Sequence, residues 1–442
     1  MYVTRLGISG IRGFTPVREV RQLELPQAGW TVLAGRNGSG KTTLLRALAL
    51  ALGGPSVARS LVSDFSGWLT AGERTGWVQA FVRPDWSVDR LAGSGKAPKY
   101  DVKLGLKWTL PQPPAAGTAL VGGPRPELEA FGSTSPERGP WAENPRGWFF
   151  AGYGPFRRLL GAAGESQRLM LSAGPVGRLA TLFHEEASLA EGVTWLVDQH
   201  VRRLEGRPGA QQTLEVVTGL LSDGLLPDGF SVARVDADGL WVQRAAGPAF
   251  PLRELSDGYR TVAALVLDLV RQFQTAYGRL PLDEDGALTL PGVVLIDEID
   301  AHLHVSWQQR IGPWLKAHFP RVQFIVSTHS PYICQAADPG GLIRIAGPDE
   351  DVPPQPVSEE LYRRVVYGSG DDAVLSDLFG LESPYSARAE DARRRVGDLE
   401  GRVLAGDADE AELAEYQELT EKLMSSLTAR VDEVSARLGR RS

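Results

Sequence analysis

An α/β fold with a largely parallel central sheet is predicted by three features of the 442-residue sequence. Short apolar runs, WTVLAG at 30–35, GVVLI at 292–296 and VQFIV at 322–326, lack polar alternation, the mark of strands buried on both faces. Segments with helical spacing stand beside them, TTLLRALALAL after the first and YRTVAALVLDLVRQFQ ahead of the second. The composition, 43% hydrophobic and 23% charged, supports a substantial core in a chain of this length.

Taken in order, residues 2–34 read as strands of a small N-terminal β-subdomain, the last of which feeds a glycine-rich loop. The helix after that loop closes on Gly53-Gly54, a stop signal. GWVQAFVRP and YDVKLGLKWTL continue the strands, so that 1–110 forms one unit. Residues 111–146, rich in Pro, Gly and Ala and without period, are expected to form a long surface loop. The span 147–254 is expected to be an inserted, mainly helical subdomain. It opens on the short aromatic strand GWFFAGYG, carries helical periodicity over 176–222, and ends in a hairpin with Asp238-Gly239 at its turn. Residues 255–385 hold the second and third apolar strands. In 386–442, Val396, Leu399 and Val403, then Leu413, Tyr416, Leu419, Leu423, Leu427, Val431, Val434 and Leu438, step by three or four. The break at 406–409 predicts a helical hairpin or short coiled coil.

Net charge is −7, which lends no support to a dedicated nucleic-acid binder. No run approaches the roughly 20 apolar residues that span a bilayer, so no membrane partner is expected. MYVTRLGISGIRGF lacks the profile of a signal peptide. The single cysteine, Cys334, has no internal partner and reads as a buried thiol, in keeping with a cytoplasmic location.

Four motifs carry chemistry. In Gly35-Arg36-Asn37-Gly38-Ser39-Gly40-Lys41-Thr42, followed by Thr43, the glycines let backbone N–H groups surround phosphates at a helix N-terminus. Lys41 reaches the β- and γ-phosphates, and the Thr42 hydroxyl ligates magnesium, so ATP and Mg2+ are the expected ligands. The strand 292–296 delivers two acids to its end: Asp297 would hold magnesium and Glu298 would activate water. Ser256, Asp257 and Gly258 open a long helix. There the Ser256 hydroxyl and the Gly258 amide suit a γ-phosphate, while an ordinary N-cap is the plainer reading. Ser327-Thr328-His329-Ser330 sets a histidine at a strand end, functional or structural on its own evidence.

The order of these motifs resembles the ABC ATPase superfamily. The resemblance implies an ABC ATPase head with catalytic Lys41, Glu298 and His329, a signature at Leu255–Tyr259 with Asp257 in place of the commoner glycine, and a D-loop at Ile299–His304. ISGIRGF and DEIDAHLHVSWQ are similar to the RecF, SMC and OLD branch, with Val305 where many relatives have proline. The same resemblance suggests a phosphate contact for Arg12, a surface arginine otherwise. A Q-loop is expected at GWFFAGYGPFRR, which has no glutamine, so Tyr153 or a backbone carbonyl would have to assist at magnesium. His302 and His304 also form an H-x-H pair, but with no third ligand nearby the D-loop reading takes precedence. Asp371-Asp372 and Asp407/Asp409 read as solvated turns rather than a nuclease centre.

The span between P-loop and signature is too short for a long coiled-coil arm, and the chain looks most like compact ATPases of phage defence, of the Septu and retron-associated kinds. That resemblance implies an ATP-dependent head-to-head homodimer that gates a separate effector, with nucleic acid left open as a cue. Two other readings stand beside it: a RecF-like DNA repair ATPase, and an ATP-binding scaffold with negligible turnover.

Overall fold

The structure, a computed structural model, describes residues 1–93, 97–112, 125–132, 135–157, 165–172, 174–226, 229–245, 247–381, 383 and 385–423. Residues 113–124 and 133–134 of the Pro/Gly-rich segment, and Leu427, Val431, Val434 and Leu438 of the tail, lie outside them. The described chain divides into two compact units, 1–379 and the part of 380–442 that is described.

In the first unit β1 (Tyr2–Ser9), β2 (Val20–Glu24) and β3 (Gly29–Ala34) precede α1 (Lys41–Leu61). Gly54, at φ 80°, interrupts α1, and Pro55 resumes it. A left-handed glycine ends the first stretch, and a proline suits the first turn of the next. β4 (Thr75–Arg83), β5 (Val102–Thr109) and β6 (Glu127–Ala130) complete an antiparallel sheet in the order β2-β1-β4-β5-β6. Here two expectations are corrected. The segment 111–146 contains β6 and the short helix α2 (Ser135–Arg138), because Leu128 alternates inward against Trp108 of β5. And β3 leaves the N-terminal sheet to join the central one.

β7 (Phe150–Tyr153) is followed by α3 (Glu165–Met170), α4 (Pro175–Phe183), α5 (Ala190–Leu204) and α6 (Ala210–Ser222). β8 (Phe230–Asp236), β9 (Gly239–Arg244) and β10 (Phe250–Pro251) form a small antiparallel sheet before α7 (Asp257–Tyr277). Then come β11 (Gly292–Ile296), α8 (Val305–His318), β12 (Val322–Thr328), α9 (Pro331–Cys334), β13 (Leu342–Arg344), β14 (Gln355–Pro356), α10 (Glu359–Tyr367) and α11 (Gly370–Val374). The central sheet runs β14-β13-β3-β12-β11-β7, parallel except for β14. The span 147–254 is thus not wholly an insert, since β7 pairs in register with β11.

Strand period decides where the core sits. Val294 and Ile296 face the cluster beneath α7 and α8, while Val293 and Leu295 face the cluster around α1 and the N-terminal sheet. Buried Gln323 of β12 joins the sheets, its amide bonded to the Val3 N–H and C=O. The second unit holds α12 (Ala387–Ala405) and α13 (Glu410–Leu423), an antiparallel hairpin whose first helix ends on Gly406 at φ 77°. Arg395 grips Glu415 through both nitrogens across the hairpin. Among the described residues no helix is long and apolar enough to cross a membrane.

Candidate functional site

The carboxyl ends of β3, β12 and β11 lie side by side in the parallel sheet, where α/β folds gather ligands. From Ala34 the chain turns through Gly35–Gly40 into α1. A Cβ at Gly35 would sit 2.2 Å from the Ile345 carbonyl oxygen, so no side chain fits there. Gly38 and Gly40 take φ values of 76° and 105°, open to glycine at little cost. The Lys41 Nζ donates to the carbonyls of Gly35 (2.8 Å) and Arg36 (3.1 Å). Burial lowers its pKa to about 8, against the opposing pull of Asp297, Glu298 and Asp300. The buried Ser39 hydroxyl has no hydrogen-bond partner among the described residues. Thr42 and Thr43 occupy the first turn of α1. Arg18, which the sequence did not single out, braces the loop by donating to the carbonyls of Ser39 (3.2 Å) and Ala346 (2.7 Å). Arg12, at φ 46°, donates to the Gly67 carbonyl and stacks over Trp68; burial, then Arg46, lowers its pKa.

β11 is buried along its whole length and ends at Ile296, directly before Asp297. The parallel register with β12 brings Ser327 alongside: its hydroxyl donates to Asp297 Oδ1 and accepts the Glu298 N–H at 2.8 Å. Burial raises the Glu298 pKa, as do Asp297 and Asp300, while Lys41 and Arg157 oppose the rise. A carboxylate biased towards protonation is a stronger base, as activation of water requires. Asp300 accepts from the Thr328 hydroxyl and from the His329 N–H (3.3 Å), tying the two strand ends together. Burial, then Lys41, lowers the His329 pKa, favouring the neutral ring. A cavity of about 390 Å³ opens between Gly35, Arg36, Asn37, His329, Pro348 and Asp349.

Ser256 caps α7 in position, yet its hydroxyl makes no capping bond. Asp257 is ion-paired with Arg260 one turn on. A Cβ on Gly258 would meet the His302 carbonyl oxygen at 2.7 Å, so the signature and the D-loop touch through backbone. These segments line a second cavity of about 650 Å³, with Ser256, Asp257, Gly258, His302, His304 and Trp307 among its walls. Among the described residues none lines both cavities. His304 caps α8, its Nδ1 facing Ser306 Oγ at 2.9 Å, and Val305 is the first residue of that helix, where proline is equally at home.

Of the two possibilities for the Q-loop segment, packing removes the Tyr153 side chain. Tyr153 is fully buried and its hydroxyl donates to Asp268 of α7 at 3.0 Å, so it cannot assist at magnesium. The residue that reaches the acids from this segment is Arg157, whose guanidinium donates to the carbonyls of Asp297, Glu298, Ile299 and Ala301. Its only mark in the sequence is the Arg-Arg pair after GYGPF.

The chain matches two family models: "AAA domain, putative AbiEii toxin, Type IV TA system" over residues 194–335 and "AAA domain" over 5–104. It is 46% identical over 85 residues to the "Retron Ec83 probable ATPase" of Escherichia coli, 19% of this chain and 15% of that protein. To the Septu protein PtuA of Bacillus thuringiensis it is 29% identical over 167 residues, 36% of this chain and 39% of that one. The chain therefore spans well under half the length of these curated relatives. The solved SMC head domain from Thermotoga maritima aligns with 81% of the chain at a TM-score of 0.43 and 15% identity. The curated relatives bear out the resemblance to Septu proteins and retron-associated ATPases.

Proposed function

We propose that this chain, which resembles the ATPases of Septu and retron defence systems, binds ATP with magnesium at the loop Gly35–Thr42 and hydrolyses it between two copies of itself. The observation that carries this reading is the separation of the two cavities. One presents the phosphate loop and His329, the other the signature and D-loop. A chain with two half-sites completes both by pairing head to head.

The residues fit the ligands. A glycine cradle that excludes side chains, a buried ammonium bonded only to carbonyls among the described residues, and an unpartnered Ser39 hydroxyl suit a polyphosphate. The Thr42 hydroxyl and the Asp297 carboxylate are the hard oxygen donors magnesium prefers, and they would hold it. Magnesium, when bound, neutralises charge on the phosphates. Lys41 would turn from the loop carbonyls to the phosphate oxygens. Glu298 would orient water and accept its proton, and neutral His329 would donate to the γ-phosphate. Across the dimer, the Ser256 hydroxyl and the Gly258 amide would close on that same phosphate. Each charge-assisted hydrogen bond contributes roughly 1.5–3 kcal/mol, so two sites shift dimerisation by several orders of magnitude. Hydrolysis would reverse the closure, and a separate effector would read it.

Glu298→Gln is expected to trap a dimer with ATP and magnesium, and Ser256→Arg to remain monomeric with ATP still bound. Size-exclusion profiles of both variants that ignore ATP would refute head-to-head closure. Turnover with and without double-stranded DNA separates a partner-gated switch, indifferent to DNA, from a DNA repair ATPase, stimulated by it.

A further inference from the structure

Arg157 lies at the end of the described stretch after β7, beside the turn that carries Glu298. It is 2% exposed and, among the described residues, has no carboxylate ion pair. Its partners are backbone carbonyls. Nη1 donates to Gly154 at 3.0 Å and Asp297 at 3.1 Å; Nη2 donates to Glu298, Ile299 and Ala301 at 3.3, 3.1 and 3.4 Å. A buried guanidinium spent on main-chain oxygens is costly unless the shape of that main chain matters.

The shape is unusual. Glu298 has φ 45° and His302 φ 66°, a region that residues with side chains hold only when their surroundings impose it. The other restraints on the turn are the bonds from Ile299 N–H to the Ser327 carbonyl, from Ala301 N–H to the Glu298 carbonyl and from Leu303 N–H to the Asp300 carbonyl, with Ser327 Oγ accepting the Glu298 N–H and the Asp300 carboxylate accepting from Thr328 and His329. None of these gathers the oxygens of Asp297, Glu298, Ile299 and Ala301 on one point.

We propose that Arg157 is a positioning residue: it draws the carbonyls of Asp297, Glu298, Ile299 and Ala301 around one fixed cation, holds Glu298 in its left-handed conformation, and thereby sets the direction of the carboxylate. The inference deepens the proposed hydrolysis and rests on it. Because the same guanidinium also bonds the Gly154 carbonyl, the segment after β7 and the D-loop move as one piece. Lysine offers a point charge on a flexible stem and cannot reach all five oxygens in one plane; methionine keeps the bulk and offers none.

The test compares the full chain with R157K and R157M, by steady-state ATP turnover, by equilibrium ATP binding, and by amide hydrogen exchange without nucleotide. For R157M, kcat should fall about a hundredfold, the size expected when a catalytic group is misplaced by about 1 Å. KM and ATP binding should stay within about twofold, since no ground-state contact to ATP is removed. Exchange should accelerate at residues 298–303 and not in β11 or β12, and R157K should fall between. Turnover of R157M within about twofold of wild type, or exchange at 298–303 no faster than before, overturns the proposal. So does loss of protection spread evenly through the sheet. If R157M does not fold, R157K decides by the same readings. A wild-type chain without turnover counts against hydrolysis alone, and the exchange comparison then decides Arg157.

Discussion

Glu298 concentrates three conflicting demands: it sits at a left-handed φ, it is crowded by Asp297 and Asp300, and it is partly withdrawn from water. Its folded pKa is raised above the unfolded value, so the unfolded chain loses this proton first as pH rises. The charged carboxylate therefore subtracts from stability above the unfolded pKa, and the deficit levels off above the folded one. Neutral Glu298→Gln is expected to unfold at a higher temperature than wild type, with a larger gap at pH 8 than at pH 5. Thermal unfolding at both pH values without nucleotide checks this; a gap that shrinks towards pH 8 would reverse the assigned sign. The same residue would then be both the stabilising substitution and the inactivating one, the trade-off expected where chemistry needs a strained group.

Among the elements, α7 and the tail hairpin make opposite cases. α7 runs from the signature into the core, with Asp268 accepting from buried Tyr153 and paired with Arg271, so the middle of the helix is fixed against β7. The hairpin α12–α13 belongs to a separate compact unit, and its helices are joined by exposed ion pairs such as Arg395–Glu415 and Arg402–Glu412. Exposed pairs contribute little, typically under about 1 kcal/mol each. Ending the chain after Phe379 is thus expected to leave ATP affinity within about twofold, since the residues proposed to hold ATP all belong to the first unit. Isothermal titration of the truncated chain would show it, and lost binding would mean that the tail completes the nucleotide site.

At the scale of the whole molecule, ligand and partner copy act on stability through mass action. ATP at about 100 times its Kd stabilises a monomeric site by about 2.7 kcal/mol, irrespective of protein concentration. Closure of two copies adds a second term that grows with protein concentration. For Glu298→Gln with ATP and magnesium, the unfolding temperature is expected to rise with protein concentration, and for Ser256→Arg it should not. Differential scanning over a hundredfold range of protein distinguishes them. Parallel curves for the two variants would place the site within one chain.

How much could be read beforehand depended on whether the relevant atoms are near in sequence. The phosphate loop is eight consecutive residues between an apolar strand and a helix, so backbone chemistry alone marks it. The α/β class was equally legible, because doubly buried strands such as 292–296 cannot hide their continuous apolar runs. Tertiary structure decided what depends on neighbours far along the chain. Whether GWFFAGYG pairs with β11, and whether β3 leaves the first sheet, are choices of strand order that period 2 does not encode. Tyr153 looked available for magnesium until packing turned it towards Asp268, 115 residues away. Arg157 left no sign beyond an arginine pair because its partners are carbonyl oxygens, which every residue has, brought beneath it from 140 residues on. A sequence names side chains; only the folded chain gives backbone atoms an address.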